Sequence, residues 1–239
     1  MAGHSKWANI KHRKGRADAA KGKMFSRIAK EIISAVKQGG TDPKSNAKLR
    51  LAIQAARAAN MPNDNVQRNI KKASSTNQAD YFALTYELYG HGGVGIIAEV
   101  MTDNKNRISS EMRIATNKKG GSIASPGSVA FNFERKGVIQ VGKDQGSEDD
   151  LFLIATDCGA EDFETADELY MITTAPNELY DVKAKLEEKG VKCEEANLEM
   201  IPKINVDCDL ETAKANMQLI EWLEGIDDVD SVFHNMDET

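Results

Sequence analysis

Residues 137–201 read GVIQVGKDQGSEDDLFLIATDCGAEDFETADELYMITTAPNELYDVKAKLEEKGVKCEEANLEMI, and their punctuation resolves into six elements. Val138-Ile139-Gln140-Val141 is a short β-branched run and predicts a strand. Ser147 to Cys158 predicts a helix, with Ser147 as its cap and Glu148, Asp149 and Asp150 in the first turn, where carboxylates meet the positive end of the helix dipole. Asp162 to Thr165 and Glu168 to Thr173 predict two further strands. Asn177 to Lys189 predicts a helix ended by Gly190, and Cys193 to Ile201 a last strand. The order β-α-β-β-α-β is that of a ferredoxin-like unit.

The flanks of this unit do not stand alone. Downstream, a helix from Leu210 to Leu223 and a strand from Val229 to Phe233 are too short to bury a core of their own. Upstream, Tyr86 and Leu88, then Val94, Ile96, Ala98 and Val100, give two strand-like runs about Gly90-His91-Gly92-Gly93-Val94-Gly95. That spacing fits G-x-G-x-x-G formally. A strand and not a helix follows it, so no helix N-terminus is offered to a pyrophosphate, and a hairpin turn is expected. Asn104 to Lys119 predicts a helix burying Ile108, Met112 and Ala115 and stopped by Gly120-Gly121, and Ser128 to Glu134 predicts a strand. The expected class is α+β and multidomain: residues 79–133 plus 205–239 form a discontinuous α+β domain, with the acidic ferredoxin-like domain, residues 134–204, inserted into it.

Residues 1–78 read differently. Met24, Phe25, Ile28, Ala29, Ile32, Ile33 and Val36 recur at helical spacing up to Gly39-Gly40. Asp42-Pro43 is expected to cap and open a second helix reaching about Ala59, and Met61-Pro62-Asn63-Asp64 a third carrying Val66 and Ile70. Ser74 to Gln78 reads as a linker. Residues 1–72 carry 17 Lys and Arg against 4 Asp and Glu, a net of +13, whereas residues 73–239 carry 14 against 33, a net of −19.

A basic segment on an acidic protein points to a polyanion. The expected nucleic-acid-binding residues are Lys6, Trp7, Lys11, His12, Arg13, Lys14, Arg16, Lys21, Lys23 and Arg27 in the arm and first helix, with Lys44, Lys48 and Arg57 on the second. Lys44 and Lys48 are four apart, and Arg50 and Arg57 seven apart, so each pair shares a helix face. Trp7 reads either as a stacking platform for an unpaired base or as a ring packed back onto the bundle. Asn104-Lys105-Asn106-Arg107 offers a secondary phosphate contact or a helix-capping loop. About six phosphate contacts on duplex DNA would give a log–log salt slope near −5.

Other chemistries find little support. His4, His12, His91 and His234 have no H-E-x-x-H or Cys/His metal spacing, and Cys158, Cys193 and Cys208 form no Cys-x-x-Cys pair. There is no P-loop and no G-x-S-x-G elbow. No catalytic residue, metal or cofactor is expected. No apolar run approaches the roughly 18 residues of a membrane span, and the start lacks a hydrophobic signal core, so a cytoplasmic protein without a membrane partner is expected. The acidic domains could face a basic protein surface.

The opening Met1-Ala2-Gly3-His4-Ser5-Lys6-Trp7-Ala8-Asn9-Ile10-Lys11-His12 resembles that of the YebC/PmpR family, bacterial proteins with a mitochondrial relative that activates translation. The likeness continues through Gly39-Gly40 with Asp42-Pro43, Asn60-Met61-Pro62 with Asp64-Asn65, Tyr89-Gly90 with Gly92-Gly93, Thr102-Asp103-Asn104 with Asn106-Arg107, and Gly127-Ser128-Val129. His91 stands where the family usually has Pro, and Ile108-Ser109 where Thr is usual. The resemblance implies three domains and a cytoplasmic, non-enzymatic regulator of gene expression that binds nucleic acid. It acts either on DNA as a transcriptional regulator or on the ribosome as a translation factor touching ribosomal RNA or tRNA, the latter being preferred. The contrasting reading is a protein- or ligand-binding module with the arm as an accessory.

Overall fold

The structure, a computed structural model, describes residues 7, 17–74, 80–166 and 168–238. The chain divides into two compact units. One is Phe131–Asn205 together with Trp7; the other comprises the described residues of Lys11–Ala130 and Val206–Thr239. The chain leaves the second unit after Ala130 and returns to it at Val206, so the first is an insertion.

In the second unit the elements are α1 (Ala17–Gly39), α2 (Ala47–Ala58), α3 (Asn63–Ala73), β1 (Phe82–Tyr89), β2 (Gly95–Thr102), α4 (Lys105–Lys119) and β3 (Ser122–Ile123). The inserted unit contains β4 (Phe133–Gly142), α5 (Glu148–Cys158), β5 (Asp162–Thr165), β6 (Leu169–Thr174), α6 (Leu179–Glu188) and β7 (Cys193–Pro202). The second unit resumes with β8 (Val206–Cys208), α7 (Leu210–Glu224), β9 (Val229–His234) and β10 (Met236–Glu238).

The inserted sheet has the order β5-β6-β4-β7 with every pairing antiparallel, which is the ferredoxin-like arrangement. Side chains alternate along its strands. Ile139, Val141, Tyr170 and Ile172 turn towards α5 and α6, where they pack with Leu151, Ala155, Val182 and Leu186. Val138, Leu169 and Met171 turn the other way and pack with Ile201 and Trp7. Ser147 caps α5 as expected, its side chain accepting from the Asp150 amide.

The second unit has two cores. α1, α2 and α3 bury Ile28, Ile32, Ile33, Val36, Leu49, Ala56, Met61 and Val66 as a three-helix bundle. A sheet of order β3-β1-β2-β9 packs with α4 and α7 around Leu88, Ile96, Ile108, Met112, Leu219, Leu223 and Val232. The glycines at 90–95 make the β1–β2 hairpin turn: the Gly90 amide donates to the Val94 carbonyl at 2.7 Å, and Gly92 and Gly93 take positive φ of 66° and 83°.

Two expectations are corrected. The second helix starts at Ala47, because Asp42 is spent on a turn: its carboxylate accepts from the Lys44 amide at 3.0 Å and its carbonyl takes the Ser45 and Asn46 amides. Buried Asn46 caps the helix in its place, accepting from the Leu49 amide at 3.0 Å while donating to the Ala35 and Gly40 carbonyls and so tying α2 to the end of α1. Residues 128–132 run from a turn into a short 3-10 helix, Ala130–Asn132, and are not a strand, which begins only at Phe133. The cause is Glu87, whose buried carboxylate accepts from the amides of Gly127, Val129 and Ala130 at 2.6, 2.7 and 2.7 Å and removes them from any sheet ladder. These bonds hold its pKa below the usual carboxylate range against the opposing effect of burial.

Candidate nucleic-acid interface

Helix α1 has two working faces. The apolar one enters the bundle; Lys23, Arg27 and Lys30, at spacings of four and three, make a second stripe. That stripe meets the segment after α7. Lys23 Nζ donates to the Glu224 carbonyl, in the last turn of α7 at the negative end of its dipole, and to the Ile226 carbonyl just beyond, which also accepts from the Val229 amide. Arg27 pairs with Glu31 at 2.9 Å and donates to Ser231 Oγ at 3.0 Å. Lys30 Nζ donates to the Met101 carbonyl at 3.1 Å and lies 3.6 Å from Asp228.

Asp228 is the hub of this contact. Its carboxylate accepts from Thr102 Oγ1 at 2.8 Å and from Arg107 Nη2 at 2.5 Å, and Arg107 also holds Asp103 at 2.7 Å. Burial raises the Asp228 pKa, but the bonds from Arg107 and Thr102 and the charges of Arg107 and Lys30 outweigh it and hold the group low. Asp230 behaves oppositely: burial pushes it up to about 6 despite the cations around it. Burial also lowers the Lys23 pKa.

The sequence-expected residues therefore separate. Lys23 and Arg27 are turned inward onto the protein's own carbonyls, carboxylates and hydroxyl, and do not form a surface for phosphate here. Trp7 is 2% exposed, seated against Val138, Met171 and Ile201 with its Nε1 donating to Glu164 at 3.0 Å. It is thus neither an open stacking platform nor packed on the bundle. Asn104 caps α4 by accepting from the Asn106 and Arg107 amides, Lys105 sits 4.3 Å from the centre of the Phe82 ring, and Arg107 is held by carboxylates. Lys6, Lys11, His12, Arg13, Lys14 and Arg16 lie outside the described residues, as does the side chain of Lys21.

On the bundle's outer side, Lys48 donates to Gln38 at 2.7 Å, and Lys44 stands in the Asp42 turn, off the helix face that would have aligned it with Lys48. Lys44 and Arg57 are exposed, with no side-chain partner among the described residues, and Arg68 and Lys71 on α3 are in the same condition. The last two are not among the residues expected from sequence. Their signal was available in the apolar pair Val66 and Ile70, which fixes the inner face of α3 and leaves positions 68 and 71 outside it.

No group of three or more His, Cys, Asp or Glu among the described residues is arranged to hold a metal ion. Cys158 and Cys208 are buried, and burial pushes the Cys193 thiol up to about 11. No helix of the described residues is long and apolar enough to cross a membrane.

Comparison with known proteins gives the context for this surface. Residues 5–76 match the family described as the TACO1/YebC protein N-terminal domain, and residues 81–236 that described as the TACO1/YebC second and third domain. A probable transcriptional regulatory protein of Protochlamydia amoebophila is 66% identical over 236 residues, covering 99% of this chain and 96% of the relative. A probable transcriptional regulatory protein of Chlamydia trachomatis serovar L2 is 58% identical over 237 residues, covering 99% and 100%. The crystal structure of a conserved hypothetical protein from Aquifex aeolicus superposes with a TM-score of 0.81 at 41% identity, covering 98% of this chain and 97% of that one. Matched along both its bundle and its two α/β parts, the chain belongs to the TACO1/YebC family.

Proposed function

We propose that this chain is a non-enzymatic regulator of gene expression that binds nucleic acid through its basic N-terminal region, with the ribosome as its site of action. The observation that carries the reading is the division of charge, +13 over residues 1–72 against −19 over residues 73–239, together with exposed cations on the bundle that have no partner among the described residues. Those cations are spread over the turn before α2 (Lys44), α2 (Arg57) and α3 (Arg68, Lys71) and do not line one face of one helix. Such a surface suits tracking of a phosphate backbone better than insertion of a single helix into a major groove. The basic arm, Lys6 to Arg16, adds contacts of the same kind. The acidic domains orient the protein, because screening over about 8 Å at physiological salt leaves the arm's attraction for phosphate intact.

The second reading, transcriptional control on DNA, is favoured by the names of the Protochlamydia and Chlamydia relatives. Sedimentation of a lysate with and without DNase, at two salt concentrations, separates them, using the intact protein and a Lys11→Glu/Arg13→Glu/Lys14→Glu variant. Salt-sensitive, DNase-resistant co-migration with ribosomes that the variant loses is the expected result. Association confined to DNA-containing fractions would move the protein to the transcriptional reading. Regulation that survives deletion of residues 1–23 would leave the arm an accessory and the α/β units the working part.

A further inference from the structure

The bundle carries an open cleft of about 280 Å³ between α1 and α3. Phe25 and Ala29, one turn apart on α1, and Met61 form its apolar floor, and Asn65, Arg68 and Asn69 form its polar wall. The wall follows from helix geometry: positions 65, 68 and 69 of α3 share one face, while Val66 and Ala73 are buried in the bundle core. The floor follows from the preceding turn. Asn60 takes the left-handed conformation, φ 55°, which lets the Met61 amide return to the Ala56 carbonyl at 2.8 Å and places its side chain in the core. The amides of Asn65 and Asn69 are half-buried, and neither they nor the Arg68 guanidinium have a side-chain hydrogen bond or ion pair to a described residue.

Two adjacent carboxamides, each offering a donor and an acceptor, above an apolar floor and beside a cation match the parts of a nucleotide: a hydrogen-bonding edge, an apolar ring face and a phosphate. The volume lies just below the roughly 300–1,000 Å³ of small-molecule sites, which admits one flat ring system and excludes a folded segment of another protein. Lys71, one turn from Arg68 and exposed without a described partner, extends the positive charge away from the cleft as a strand leaving it would require.

We propose that this cleft receives a single unpaired nucleobase, its ring against Phe25 and Met61, its edge on Asn65 and Asn69, and its phosphate on Arg68. The proposal rests on the nucleic-acid reading above and sharpens it to single-stranded or looped segments. A base in a duplex has its edge and both faces occupied and cannot enter.

The test uses the full chain, a ten-nucleotide single-stranded RNA carrying one 2-aminopurine, the same sequence as a duplex, and adenosine monophosphate. The unmodified chain should bind the single strand with a change in 2-aminopurine fluorescence. Asn65→Ala/Asn69→Ala should weaken that binding about 10- to 100-fold and abolish the fluorescence change, leaving duplex binding and the salt slope unaltered. Arg68→Ala should lower the single-strand slope by about 0.7. Asn69→Asp, which keeps the side-chain volume, should show the same loss of fluorescence change should the alanine pair melt early. Single-strand affinity and fluorescence change retained in the Asn variants would overturn the cleft and leave the general reading standing. Absence of binding to any nucleic acid by the unmodified chain would overturn both. Adenosine monophosphate bound as tightly as the oligonucleotide would reassign the cleft to a free nucleotide.

Discussion

Two sets of cations stand within one small bundle, and they do opposite things. Lys23, Arg27 and Lys30 on α1 look, by residue type and helical spacing, like a phosphate-binding stripe, yet they are bonded to carbonyls at the end of α7, to Glu31, to Ser231 and to Asp228. The side chains of Lys44, Arg57, Arg68 and Lys71 around α2 and α3 have no partner among the described residues. Net charge is the same signal in both. What separates them is the supply of acceptors nearby: the Glu224–Ser231 segment offers helix-end carbonyls and the carboxylates of Asp227, Asp228 and Asp230, whereas the outer side of α2 and α3 faces solvent. A basic count therefore bounds how many phosphates a protein can meet without saying which residues meet them.

The arm's aromatic residue divides the same way, and it gives the largest expected effect. Trp7→Ala removes a fully buried indole and uncovers Val138 and Met171, so it should cost about 3 kcal/mol in urea unfolding of the inserted unit. An unchanged midpoint would show that the ring is not seated there. Next is the hub of the docked set. Asp228→Ala removes the carboxylate that Arg107, Lys30 and Thr102 share and should cost about 2–3 kcal/mol at pH 7. Because the folded-state pKa of Asp228 is depressed, its contribution is present above the unfolded value, near about 4, and is lost as pH falls through the folded value. The gap between the variant and the parent should close in acid, and a gap that widened there would reverse the sign.

Lys23→Met keeps the aliphatic stem but drops the ammonium from the end of α7. A loss of about 1 kcal/mol is expected, with no change in the salt dependence of nucleic-acid binding. Asp230 acts in the opposite direction. With its folded pKa raised to about 6, its ionised form is disfavoured in the native state, so the protein pays a penalty that grows from about pH 4 and is complete above about pH 6. Asp230→Asn should flatten the stability profile across that window and leave the protein more stable at neutral pH. A variant less stable at pH 7 would mean that the attraction of Arg27 and Lys30 outweighs the cost of burial.

Much of the fold was legible because periodicity and punctuation agree. The Gly190 stop, the Ser147 cap and the change from period two to period 3.6 mark the ferredoxin-like order within a residue or two at most ends. The misses share a cause: a side chain distant in sequence redirects the backbone or the surface. Glu87 takes the amides that would have made residues 128–132 a strand, and Asn46 displaces Asp42 as a cap because only Asn46 also reaches α1. The burial of Trp7 has a local trace in β6. Leu169-Tyr170-Met171-Ile172 is apolar at every position, which means that both faces of β6 are covered, one by helices and the other by something else. Apart from the local Arg27–Glu31 pair, the inward turn of Lys23 and Arg27 has no such trace in α1 itself, since Glu224, Ile226 and Ser231 lie about 200 residues away.

The most direct test is the salt dependence of binding to a structured RNA hairpin, measured for the intact chain and two variants. One is Lys44→Ala/Arg57→Ala/Arg68→Ala/Lys71→Ala and the other Lys23→Met/Arg27→Met/Lys30→Met. If the outer cations meet phosphate and the α1 stripe is docked, the first variant flattens the log–log slope by about 3 and the second leaves it unchanged while lowering the unfolding midpoint. A slope flattened by the α1 variant and untouched by the outer one would contradict the account.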